Sequence, residues 1–181
     1  DLLELFGAAN CCRLERVPDN WLFPLGGRRG GNMHVYANFL RYAELIEPFV
    51  DEYDLFVLLR SDFQFLFPMP PAAMLRRVLG PEDLLTCEGH EWGGVNYNLL
   101  VARREVVLKY LRAPYEWITD RERHPTILAQ ADRMQGSLNI EKFWRVIFDA
   151  NGWRNLRMSA MAYLTAESLR DRTTFGSLYF D

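Results

Sequence analysis

Three histidines, three cysteines and no long basic tract narrow what this 181-residue chain can do. Cys11 and Cys12 are adjacent, and neighbouring cysteines bridge to each other only with backbone strain, so a disulfide framework is not expected. Neither a Cys-x-x-Cys nor a His-x-x-x-His pair occurs, which removes the usual structural zinc sites. This cysteine usage favours a reducing compartment, and the expected location is the cytoplasm, or an endomembrane lumen if an anchor lies upstream of Asp1. Lys and Arg number 21 against 24 Asp and Glu, a net charge of -3, and no run of cations can neutralise successive phosphates, so nucleic acid is excluded as a partner. No apolar run approaches the roughly 18 residues of a membrane span, and no signal peptide opens the chain. The start at Asp1 rather than Met is compatible with an excerpt of a longer chain. Internal repeats and low-complexity segments are absent as well.

Hydrophobic residues at 49% and charged residues at 25% match folded globular proteins, and the length suits one domain over residues 1–181. Aromatic residues reach 14%, and Trp21, Trp92, Tyr97 and Trp117 lie in polar surroundings, where a flat ring either fills a core or stacks on a sugar.

Along the chain, residues 17–31 carry Pro18, Pro24 and four glycines and read as a loop. Val35, Phe39, Tyr42, Ala43 and Ile46 recur at helical spacing, predicting an amphipathic helix from Asn32 to Val50 with its last turn distorted by Pro48. Tyr53 to Arg60 is a nearly unbroken apolar run after an acidic turn, the pattern of a central strand buried on both faces of a parallel-type sheet. Ala72 to Leu79 predicts a short helix stopped by Gly80. Leu84 to Cys87 and Val95 to Ala102 predict extended segments, and Arg104 to Leu111 a helix. Thr119 to Gln135 predicts mixed loop and helix. Asn139 to Asn151 carries Ile140, Phe143, Trp144, Ile147 and Phe148 on one helical face, ended by Gly152, and Leu156 to Leu164 supplies a last strand. The fold class expected is α/β, a mixed sheet flanked by helices.

Three stretches carry residue types suited to chemistry. Arg60-Ser61-Asp62 ends the apolar strand, in the zone where open α/β sheets bind ligands. A carboxylate there can hold a divalent metal, Mn or Mg, that bridges two phosphates, with the arginine as a fixed cation; a surface Arg–Asp pair is the alternative. Glu88 to Asn98 packs Glu88, His90, Glu91, Trp92, Asn96 and Tyr97 around a Gly-Gly pair, which suits recognition of an acceptor with Glu91 or Glu88 as general base, or else a polar hairpin. Gly26 to Asn32, with Arg28 and Arg29, is a phosphate cradle or a flexible loop, and it matches neither the Walker nor the dinucleotide pattern. His34 and His124 receive no role, and Cys87 reads as a small buried filler.

In this order the pieces resemble a family of polysaccharide-building glycosyltransferases with a GT-A-like fold. The matching segments are Glu44-Leu45-Ile46 through Tyr53 to Asp62, then Trp92-Gly93-Gly94-Val95-Asn96, then Leu138-Asn139-Ile140-Glu141-Lys142, spanning about residues 35 to 165. The resemblance implies that Asp62 takes the place of the carboxylate holding metal and donor diphosphate, that Asn96 matches the acceptor-loop asparagine, and that Glu141 matches the helix-start glutamate. Tyr97 stands where family members commonly have Asp, and Asp1 to Cys12 does not match the usual first strand and nucleotide-binding turn.

Two functions follow. The first is transfer of a sugar from a nucleotide-sugar donor to a glycan or lipid-linked (glycolipid) acceptor, with Arg60 and Asp62 at the diphosphate, Glu91 or Glu88 as base, and His90, Trp92, Asn96, Tyr97 and Glu141 at the acceptor. The second is a non-catalytic carbohydrate-binding or assembly module on the same fold, with Trp92 and Tyr97 stacking on sugar rings. A hydrolase needs two acids flanking one bond, a geometry that Glu88 and Glu91, three apart, reach only by chance.

Overall fold

The computed structural model describes residues 33–60, 63–134, 138–160 and 162–164. Helix α1 spans Met33–Ile46 and passes through a 3-10 turn, Glu47–Glu52, into strand β1, Leu55–Leu59. Then come β2 (Phe63–Phe65), α2 (Ala72–Val78), β3 (Asp83–Cys87), β4 (Leu99–Arg103) and α3 (Arg104–Thr119). A short 3-10 turn leads to α4 (His124–Arg133), followed by α5 (Ile140–Asn151), β5 (Arg154–Met158) and β6 (Ala162–Leu164). No helix among the described residues is long and apolar enough to cross a membrane.

Local chemistry explains most boundaries. Pro48 turns the end of the first helix into its 3-10 extension. α5 begins where the Asn139 side chain accepts from the Lys142 amide at 2.8 Å and ends at Gly152, whose φ of 68° is the left-handed conformation that closes helices. α3 outlasts the expected Leu111 by two turns: Pro114 lies inside it, and burial of Ala113, Pro114, Trp117 and Ile118 carries the helix past the hydrogen bond that proline cannot make.

The main sheet has the order β1-β4-β3-β5, with β4 antiparallel to both neighbours and β3 parallel to β5; β2 and β6 form a separate antiparallel pair. This is a mixed α/β architecture. The expectation for Tyr53 to Arg60 needs correction on two points. β1 lies at an edge of the sheet and runs antiparallel to its neighbour, and Val57 and Leu59 are 44% and 49% exposed. The central buried strands are β3 and β4 instead. An unbroken apolar run has the same periodicity in a central strand as in an edge strand, which is why the sequence pattern does not separate them. Val95 to Ala102 also divides, with the strand beginning only at Leu99.

Side chains alternate across the sheet. Phe56, Leu58, Leu84, Leu100 and Ala102 face the large core built with α1, α3 and α5, where the rings of Tyr110 and Trp144 stack 4.3 Å apart. Leu55, Leu85, Val101 and Leu156 face a smaller cluster closed by Leu75 of α2 and by Leu79. At the start of β3, the Asp83 carboxylate is clasped by Arg154 at 2.7 and 2.5 Å and accepts the Gly80 amide at 2.7 Å. The Arg154 bonds hold its pKa below the ordinary carboxylate value.

Candidate functional site

Because β4 is antiparallel to both β1 and β3, strands β1, β3 and β5 all point the same way. The pairs Leu59↔Leu99 and Cys87↔Met158 mark one rim of the sheet, at the carboxyl ends of three strands. Open α/β sheets bind ligands beyond such ends. Three chain segments meet there: Arg60, the 88–98 loop, and the amino end of α5.

The loop has an unusual backbone. Gly89, His90, Trp92 and Gly93 have φ of 90°, 58°, 44° and 84°. For His90 and Trp92 this is the left-handed region, which costs about 1–3 kcal/mol per residue and persists only where surroundings impose it. The surroundings are specific. Asn96 is buried, donates to the carbonyls of Cys87 (2.9 Å) and Gly89 (2.7 Å), and accepts the Asn98 amide (2.9 Å). The Val95 amide donates to the Glu141 carbonyl at 2.9 Å, and the Asn139 carboxamide donates to the Trp92 carbonyl at 3.1 Å. Gly94 lies flush on the backbone of Glu141 and Lys142, where a Cβ would overlap it outright. The Trp-Gly-Gly-Val-Asn and Asn-x-Glu segments are thus one packed unit.

Charge concentrates at this unit. The Arg60 guanidinium hydrogen-bonds the Tyr97 phenol, and Tyr97 feels the Glu141 carboxylate; burial, then Glu141, raise the phenol's pKa, with Arg60 opposing. Glu141 is 8% exposed, and burial pushes its carboxyl up. Tyr36 of α1 is buried within the fields of Tyr97 and Glu141, and its pKa is raised by burial first and by those two groups next. His90 lies within the fields of both Glu91 and Arg60; burial lowers its pKa, the Glu91 field opposes that, and Arg60 adds to it. The Glu91 side chain is one-quarter exposed, and it pairs with Arg157 of β5 at 3.7 Å.

The residues expected at a site therefore fall into three groups. Arg60, His90, Glu91, Tyr97 and Glu141 come together, with Trp92 beside them and 62% exposed. Asn96 and Glu88 stand apart from that group. Asn96 spends both amide hydrogens and its oxygen inside the loop, so it braces the loop rather than presenting an amide to a ligand. Glu88 is exposed, with its backbone amide on the Met158 carbonyl. Asp62, and the 26–32 glycine loop with Arg28 and Arg29, lie outside the described residues. Among the described residues no three His, Cys, Asp or Glu side chains gather as metal ligands, so they do not by themselves fit a divalent metal. His124 bonds the Ile118 carbonyl at 2.9 Å, and the buried Cys87 thiol donates to the Ser159 carbonyl at 3.6 Å; both are structural. Sequence reasoning missed Tyr36, which reads as an ordinary helical core position, and Arg157, which sits in a strand with no local signature.

Beside Arg60 a cavity of about 640 Å³ opens between α1 and β1, lined by Asn38, Phe39, Tyr42, Val57, Tyr97 and Asn98 among others. Compared with protein-family models, with curated proteins and with solved structures, the chain matches none.

Proposed function

We propose that this protein transfers a sugar from a nucleotide-sugar donor to a glycan or glycolipid acceptor, on a GT-A-like sheet. The observation that carries the reading is the convergence of three sequence-distant segments at the carboxyl ends of three co-directional strands. A cation (Arg60), an ionisable acid (Glu91) and an exposed indole (Trp92) share one rim there. Sugar transfer asks for those three functions.

In this reading the donor diphosphate lies against Arg60, and the acceptor ring stacks on Trp92. The acceptor hydroxyl oxygen bonds to the anomeric carbon while Glu91 takes its proton. The bond from that carbon to the phosphate oxygen breaks, its electron pair leaves with the diphosphate, and Arg60 carries the departing charge. Tyr97 hydrogen-bonds Arg60 from the 88–98 loop and holds it in place. The divalent metal implied by the resemblance would rest on Asp62, and no step is assigned to it.

Thermal shift tests the reading, because a ligand that binds only the folded state raises the melting temperature. A nucleotide-sugar, screened with and without Mn²⁺, is expected to raise that of the full chain, and Arg60→Gln to cancel the rise. If glycans alone shift the melting temperature and no nucleotide-sugar does, the protein is a carbohydrate-binding module and transfer is wrong.

A further inference from the structure

Among the described residues nothing pairs with the outer edge of β1, which is unusual for a strand facing water. Natural edge strands are guarded by lysine, proline, a bulge or an inward charge, because an open row of amides and carbonyls recruits other strands. β1 reads Leu-Phe-Val-Leu-Leu, with none of these, and pairs continuously with β4 on its other side. Val57 and Leu59 are half exposed, and Tyr42, Leu45, Phe49 and Tyr53 nearby are exposed too. An apolar edge of this kind calls for a cover.

The backbone directions define what the edge offers. The Arg60 amide donates to the Asn98 carbonyl and the Arg104 amide to the Asp54 carbonyl, both at 3.2 Å. Even-numbered residues of β1 therefore direct their backbone groups to β4, and Leu55, Val57 and Leu59 direct theirs outward.

We propose that this edge pairs with the same edge of a second copy of the chain, antiparallel, about a two-fold axis through Val57. That register places Val57 opposite Val57 and Leu55 opposite Leu59, so each residue with outward amide and carbonyl meets another with outward amide and carbonyl. A shift of one residue would place outward groups against inward ones. The same register sets Asp54 of each copy opposite Arg60 of the other. Asp54 already pairs with Arg76 at 3.3 Å through Oδ2, which leaves its second oxygen for the new contact. The strand pattern allows this register and its two-residue shifts, and charge selects among them the axis through Val57, giving a two-fold contact of identical surfaces. Two four-stranded sheets then become one of eight. The pairing goes beyond the transfer reading; both use Arg60, and the variants that test the pairing leave that residue in place.

The test is mass and cross-linking of the full chain. Sedimentation at micromolar concentration is expected to give twice the 21.2 kDa chain mass. Val57→Lys sets two cations on the axis and is expected to weaken the dimer at least about 100-fold, with circular dichroism unchanged because the side chain is already at the surface. Val57→Cys is expected to form an intermolecular disulfide under mild oxidation, since hydrogen-bonded antiparallel partners lie about 5.5 Å apart. Leu59→Cys is not expected to do so, because its two copies would be roughly 13 Å apart. A monomer at all concentrations overturns the proposal, and so does Leu59→Cys cross-linking as readily as Val57→Cys. A monomer whose Val57 amide resists hydrogen exchange also overturns it, by giving the edge to another stretch of polypeptide.

Discussion

Gly94→Ala tests whether the loop and the helix start form one unit. The added methyl would overlap the Glu141 carbonyl and the Lys142 amide nitrogen, which are backbone atoms and cannot swing aside as a side-chain tip would. The loop must therefore lift from α5. Lifting breaks the Val95–Glu141 bond at 2.9 Å and the Asn139–Trp92 bond at 3.1 Å. Each is worth about 1 kcal/mol, and residual overpacking adds about 1–3, for about 3–5 kcal/mol in total. In a domain of this size that lowers the melting temperature by roughly 10 °C. Gly152→Ala is the control: its φ of 68° strains alanine, but among the described residues no atom beyond its chain neighbours lies within 4 Å of the added methyl, so the cost is about 1–2 kcal/mol. Differential scanning calorimetry separates the two. A Gly94→Ala variant melting within a degree or two of the parent would show that the loop does not seat on α5, and the site as described would not exist.

Two further predictions follow from exposure and titration. Trp92→Ala is expected to change stability by less than about 1 kcal/mol, because the indole is 62% exposed and alanine inherits the same backbone. It should weaken acceptor-glycan binding roughly tenfold by calorimetry, and unchanged affinity would remove the indole from the site. Glu141 has a raised folded pKa, so the folded state holds its proton more tightly than the unfolded state and loses stability as pH rises above the ordinary glutamate range. Glu141→Gln should abolish that loss, so in denaturant titrations the variant gains on the parent as pH rises from the ordinary glutamate range to the raised folded pKa, and the gain is level above it. Parallel pH profiles would place the Glu141 carboxylate in water.

The helices were legible because their signals are local: apolar residues at three and four, an asparagine cap at Asn139, a glycine stop at Gly152. The order of strands was not. Leu55–Leu59 and Leu99–Arg103 are both apolar runs, and only the pairing partners decide that the first is an edge and the second is central. At the site, residue type revealed where chemistry gathers but not which atoms remain available. Asn96 carries the right amide for a ligand, yet its hydrogens are used to hold the backbone in a conformation that no local rule would assign to His90 and Trp92. The grouping of Arg60 with Glu141, 81 positions apart, depends on β4 returning beside β1 and on Gly94 fitting against α5, two contacts made only in the folded chain.

Transfer at the Arg60–Glu91 rim would be read out by a turnover assay. The full chain is incubated with nucleotide-sugars and a panel of glycan and glycolipid acceptors, with Mn²⁺ present, and free nucleoside diphosphate is measured for the parent and for Glu91→Gln. The parent is expected to release nucleoside diphosphate in an acceptor-dependent way, and Glu91→Gln to lose about 100-fold or more of that release with acceptor affinity retained. Full release by Glu91→Gln, or none by the parent with any donor that it binds, would contradict transfer at this rim.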